Sequence, residues 1–204
     1  MAIKIGLNKT ERILFCGSKW WGDPDMPDTM QYPMASAVDE DGWNSGFPLT
    51  FICQINCEDI APYDKDGLLP HEGMLYFFGA IDELLGYESL IHNPAGEWGK
   101  GSIMVKYART INFETFQSCI LMDDEGQPVT DAELEMTFSE CEDEAEGFKI
   151  LGVPSDEKVR TAYPECRNLL QICFDEKTTL HILIKESDLK YGNWKKAIAF
   201  LQSE

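Results

Sequence analysis

The chain is short of positive charge, short of histidine and without a long apolar run. Lys and Arg number 17 against 36 Asp and Glu, a formal net charge of −19. Such a field repels phosphate backbones and anionic lipid heads, which argues against nucleic acid and membrane surfaces as partners. The longest apolar stretch, Met74 to Ile81, is far too short to span a bilayer as a helix. Lys4, Lys9, Glu11 and Arg12 break up the N-terminal region, so no signal-peptide core is expected there. The only histidines, His71, His92 and His181, are too widely spaced for a zinc-type pair. No Gly-x-Ser-x-Gly elbow and no Walker loop occurs, and Gly99-Lys100-Gly101-Ser102 lacks the upstream spacing of a phosphate loop. Neither a catalytic set, a metal nor a cofactor is expected.

The seven cysteines form no C-x-x-C pair, and their odd number does not suit a secreted disulfide framework. Scattered thiols in a chain large enough to bury its own core fit a reducing cytoplasm. Cys53 and Cys57, four apart, read as core thiols better than as half of a metal site.

What is abundant is carboxylate. Between Asp123 and Glu146 there are eleven acidic residues and no Lys or Arg. Asp123, Asp124, Glu125, Glu142, Asp143 and Glu144 are its densest groups. They lack the alternation and central Gly of a Ca²⁺ loop. A solvated strand face and a docking surface for a basic protein both fit.

Period-two alternation dominates the rest. Strands are expected at Ile13–Cys16, around Leu49–Ile55, at Met74–Phe78, around Ile103–Tyr107, over Thr115–Leu121 and Leu134–Phe138, and at Phe148–Leu151, Leu169–Phe174 and Leu180–Ile184. Asn56 to Ile60 reads as one helical turn stopped near Pro62. Trp194, Ala197, Ile198 and Leu201 after Asn193 predict a closing amphipathic helix. The fold class this implies is α+β, with largely antiparallel β-sheets and a few short helices.

Two stretches echo each other. Phe51-Ile52-Cys53-Gln54-Ile55 parallels Leu169-Leu170-Gln171-Ile172, and Leu75 to Leu84 parallels Leu180 to Leu189. The expectation is one domain over the whole chain, with pseudo-repeated strand-loop-strand-helix halves at approximately 1–110 and 111–204.

Four ordered stretches carry a family likeness: Ser18 to Pro24 with Pro27 and Tyr32-Pro33; Pro48 to Asn56 with Gly73 to Phe78; Phe148 to Pro154; and Leu169 to Ile172 with Ser187-Asp188-Leu189 and the C-terminal segment. In these the chain resembles the YwqG-like proteins, a bacterial family of unknown function. The resemblance implies a two-sheet, duplicated α+β fold and supplies no catalytic residue. The family pattern favours Gly-Gly after Ser-Lys, whereas this chain has Trp21; a positive φ there would strain it.

The binding candidates are Trp20, Trp21, Asp23, Gln54, His71 and Gln171. Adjacent tryptophans between Gly and Pro form either a binding platform or a core cap. His71-Glu72 could do acid-base work, although a polar turn is the commoner role. Gln54 and Gln171, on apolar strands, must be hydrogen-bonded if buried and could line a cleft between the halves. The leading expectation is a protein-binding module, in its specific form an immunity-like protein masking a basic toxin or nuclease. The alternatives are a small-ligand binder or enzyme with its cleft between the halves, and an assembly element pairing through a sheet edge.

Overall fold

The computed structural model describes residues 1–38, 42–110, 116–117 and 121–203. The strands are β1 (Ala2–Asn8), β2 (Lys19–Trp20), β3 (Met26–Pro27), β4 (Met34–Val38), β5 (Asn44–Pro48), β6 (Thr50–Asn56), β7 (Met74–Gly79), β8 (Gly96–Glu97), β9 (Ile103–Ala108), β10 (Phe116–Gln117), β11 (Leu134–Cys141), β12 (Lys149–Leu151), β13 (Cys166–Cys173), β14 (Thr178–Lys185) and β15 (Ile198–Ser203). Eleven of them form one antiparallel sheet in the order β8-β15-β14-β13-β12-β1-β11-β2-β6-β7-β9, curled into a half-barrel. The short ribbons β3–β10 and β4–β5 stand apart.

This corrects the α+β, two-sheet expectation. The protein is all-β, with 40% strand and 12% helix. Its helices, α1 (Cys57–Ile60), α2 (Glu157–Ala162) and α3 (Glu186–Lys190), span one or two turns and cannot build a layer. The closing amphipathic helix is also overturned. Trp194–Lys196 make a single 3₁₀ turn, Ala197 is extended, and Ile198–Ser203 is β15, paired with both β14 and β8. The apolar run Ala197 to Leu201 satisfies both periods, and burial between two strands decides the outcome. Ile13–Cys16 is not a strand: Ile13 is 91% exposed and a turn follows it. The expected Thr115–Leu121 strand falls largely outside the described residues.

Other expectations hold. Asn56 caps α1 by accepting from Glu58 N, and the helix ends before Pro62. β6 and β7 are buried on both faces, as central strands are. Leu75 and Phe77 point into one continuous core running the length of the sheet, with Ile3, Ile5, Ile52, Ile55, Leu170, Leu180 and Ile182. Their neighbours Met74, Tyr76 and Phe78 enter a second cluster on the opposite face, and Leu183 enters a third with Val159 of α2. Each fully buried Leu, Ile or Phe contributes about 1.5–3 kcal/mol.

β1 and β11 lie at the centre and pair along their full lengths. β1 then pairs with β12, and β11 with β2. The first strand of the chain therefore completes the C-terminal part of the sheet, and β11 completes the N-terminal part.

Candidate functional site

On the face away from the continuous core, each part of the sheet carries a buried Lys opposite a buried Gln. Lys19 of β2 faces Gln54 of β6, and Lys149 of β12 faces Gln171 of β13; all four are buried. Gln54 Nε2 donates to Gly17 O at 2.9 Å, and its Oε1 accepts from Asp25 N at 2.8 Å. Gln171 Nε2 donates to Gly147 O at 2.9 Å, and its Oε1 accepts from Ser155 N at 3.2 Å. The partners sit at matching offsets from the two lysines. In each strand a bulge lies just ahead of the Gln.

The turns after the lysines match too. Trp21 (φ 59°) precedes Gly22, and Leu151 (φ 59°) precedes Gly152, both glycines with positive φ. The strain expected at Trp21 is therefore real, and Leu151 shares it. A Cβ on Gly22 would lie 2.8 Å from Glu133 Cβ, and one on Gly152 would lie 2.7 Å from Ala2 Cβ, so neither turn accepts a side chain there.

The two clamps differ in charge. Lys19 Nζ pairs with Asp25 at 3.1 Å and with Glu133 at 3.2 Å. Gln54 Nε2 and Cys16 N also donate to that Asp25 carboxylate. Lys149 Nζ donates only to carbonyls, Asp143 O at 2.6 Å and Val153 O at 2.8 Å. Burial pushes its ammonium down to about 8. Opposite Gln171 lies His181, fully buried between Asn168 Oδ1 and Gln202 Oε1; burial pushes its imidazole down to about 4, so it is neutral at pH 7.

The sequence-derived candidates do not converge. Gln54 and Gln171 spend their amides on their own loops. Trp20 is 3% exposed and packs edge-on against Phe148 with ring centroids 5.2 Å apart. Trp21 and Asp23 are half-buried in the turn. His71 contacts Asp64 Oδ2 at 3.2 Å, while Asp64 also accepts from Leu68 N and Leu69 N; this orders the connection before β7. Cys53 and Cys57 are buried, which pushes the Cys57 thiol up to about 12, and no group of three or more potential metal ligands comes together among the described residues. Lys19 and Lys149 were missed, although the Lys three residues before a Gly, in both Lys19-Trp20-Trp21-Gly22-Asp23-Pro24 and Lys149-Ile150-Leu151-Gly152-Val153-Pro154, was there to be read.

The acidic tract splits. Leu121 to Val129 fold back as a tight loop, with Asp123 N donating to Gln127 O and Val129 N to Leu121 O. Its tip carries Asp123, Asp124 and Glu125 into a cleft of about 390 Å³, shared with Asp82, Tyr87 and Glu88. Among the described residues, no Lys or Arg lines it. Burial raises the Asp82 carboxyl, opposed by the hydrogen bond from the Thr50 hydroxyl. Within β11 and its flanks the carboxylates are largely paired: Glu133 with Lys19, Glu135 with Arg12, Glu140 with Lys65. Glu142, Asp143 and Glu144 follow the far end of β11, about 23 Å of strand from its start. There Glu144 reaches Arg160 at 3.6 Å.

Fold and site together define an all-β protein built on one curled sheet, with buried Lys–Gln clamps and open polar clefts. A family model, described as a domain of unknown function (DUF1963), matches residues 18–202, and the chain belongs to that family. No curated protein matches it in sequence. No helix among the described residues is long and apolar enough to cross a membrane.

Proposed function

We propose that this protein is a binding module that captures a basic segment of another protein, seating a Lys or Arg side chain in the cleft at the 121–129 loop. The observation that carries this reading is the cleft's make-up. Asp82, Glu88, Asp123, Asp124 and Glu125 converge on it without a cation, and Tyr87 and Met122 offer apolar surface beside them. A carboxylate cage with an aromatic edge suits a guanidinium, which both pairs and stacks. The net charge of −19 would steer such a partner in from a distance. A basic toxin or nuclease held by an immunity-like module is the specific form. Within its family we place the chain with the YwqG-like proteins, on the four ordered stretches quoted above. The six described cysteines, all free, suit a cytoplasmic setting.

The test is calorimetric titration with a panel of short Arg- and Lys-rich peptides, from about 50 to about 300 mM salt. A bound peptide should weaken at least about tenfold when Asp123→Asn, Asp124→Asn and Glu125→Gln are combined, and should weaken with salt in the wild type. Failure of the whole panel to bind, or equal binding by the neutralised variant, would overturn the reading.

A further inference from the structure

In so acidic a protein a cation is easily neutralised, and many are. Arg12, Lys19, Lys65, Arg160, Arg167, Lys185 and Lys190 each reach a carboxylate. Several others, Lys149 among them, reach none within the described residues, and one place gathers a group of these. At the end of the sheet, the turn from Gly192 to Lys196 packs against β9 and opens a cleft of about 560 Å³. Lys106, Lys195 and Lys196 line it, and among the described residues no acidic one does. None of these three makes an ion pair with a described residue. A second cleft shares Lys106 and Tyr107 and adds Arg109, with Asp28 the one carboxylate among the described residues of its lining. Four cations thus gather where, among the described residues, Asp28 is the one carboxylate in the lining.

The remaining walls are mostly apolar. The rings of Tyr107 and Trp194 lie 6.2 Å apart, tilted at 55°, and Val105, Met30, Gly192 and Asn193 complete the lining. Among the described residues β9 pairs with β7 alone, so within them its other edge carries backbone groups outside any strand pairing. The parts are firmly held. Tyr107 Oη donates to Glu72 O at 3.0 Å, and Lys106 Nζ to Gln31 O at 2.7 Å. In the turn, Asn193 N donates to Asp188 O, Asn193 Nδ2 to Asp188 Oδ1, Lys196 N to Asn193 O and Ala197 N to Trp194 O. Burial first, and then the charge of Lys195, lower the Lys106 ammonium from its ordinary value, so these two like charges feel one another with no described carboxylate lining the cleft between them.

We propose that this cleft is a binding site for a small organic anion carrying a flat aromatic ring, the class to which nucleoside monophosphates and aryl phosphates belong. An anion relieves the repulsion among the ammonium groups, and the ring stacks on Trp194 or Tyr107. The size falls within the ordinary range for small-molecule sites. A polynucleotide is disfavoured, because its backbone would have to approach a body of charge −19. The site joins β9, from the N-terminal part of the sheet, to the turn before β15 from the C-terminal part, and it shares no residue with the acidic cleft.

The experiment titrates the intact protein with adenosine monophosphate, phenyl phosphate, adenosine and inorganic phosphate, followed by calorimetry and tryptophan fluorescence. At least one of the two ring-bearing phosphates should bind saturably, at least about tenfold more tightly than inorganic phosphate or adenosine. The double variant Lys195→Ala, Lys196→Ala, both exposed positions, should lose at least about tenfold of that affinity with its melting temperature retained. The Asp124→Asn, Glu125→Gln variant should bind as the wild type does. Absence of saturable binding to both phosphates up to about 5 mM, or binding unaltered by the lysine substitutions, would overturn the proposal.

Discussion

At the scale of single residues, the sheet keeps charge and polarity where an apolar side chain would fill the space. Lys149 is buried with its ammonium donating to two backbone carbonyls, yet at about 8 it is still mostly protonated at neutral pH. His181, on the adjoining strand, has been driven the other way, to a neutral ring at about 4. In the unfolded chain it titrates near 6.5, so the unfolded state takes up a proton that the native state refuses between those values. Its contribution is complete above pH 6.5 and is lost as pH falls toward 4, by on the order of 3 kcal/mol. Urea unfolding of the wild type and of His181→Gln at pH 7 and at pH 4.5 isolates this term from the titrating carboxylates. The wild type should lose more stability over that interval than the variant, and parallel losses would remove His181 from the account.

At the scale of elements, legibility followed burial on two faces. β6, β7, β13 and β14 are short and largely apolar, with middles buried on both faces, which a central strand accommodates. β15 was illegible because a run of apolar residues beside Lys195 and Lys196 satisfies a helix and a doubly paired strand alike; the register of β14 decides it. β1 was overlooked although Ile3, Ile5 and Leu7 alternate with Lys4 and Gly6, the period-two pattern of a half-buried strand. The clamps were half legible. Gln54 and Gln171 stood out as polar residues in apolar strands, but their partners lie 35 and 22 residues earlier in the chain, at Lys19 and Lys149, and only the topology brings them together. The same is true of Lys106 and Lys195. One connection gives a sharp element-scale prediction. Gly73, at φ 81°, opens β7, and a Cβ there would meet Ala108 O of β9 at 2.2 Å, backbone against backbone. Gly73→Ala should therefore cost more than the roughly 1 kcal/mol of a positive φ alone, on the order of 3 kcal/mol or more by chemical denaturation. A loss within about 1 kcal/mol would mean that the β7–β9 edge yields freely.

At the scale of the molecule, the correspondences between the two clamps extend to the strands that bracket them. Ile5 N donates to Phe148 O, and Met136 N to Ser18 O, so β1 stands to the second clamp as β11 stands to the first. The central pairing is self-consistent under the same exchange, with Ile5 opposite Phe138 and Leu7 opposite Met136. We propose that the halves, approximately 1–110 and 111–204, are copies of one duplicated unit that have traded their first strands. The trade has a mechanical consequence. Separated from the rest, the N-terminal half would expose the edge of β2 and hold β1 with nothing to pair it, while the C-terminal half would lack the strand that covers β12. Chains cut between residues 110 and 121 should each lack a cooperative thermal transition. Mixed in equal amounts, they should form a one-to-one complex that recovers the near-ultraviolet circular dichroism of the intact protein. Either piece folding alone as a stable monomer would show that the exchanged strands are not what closes the sheet.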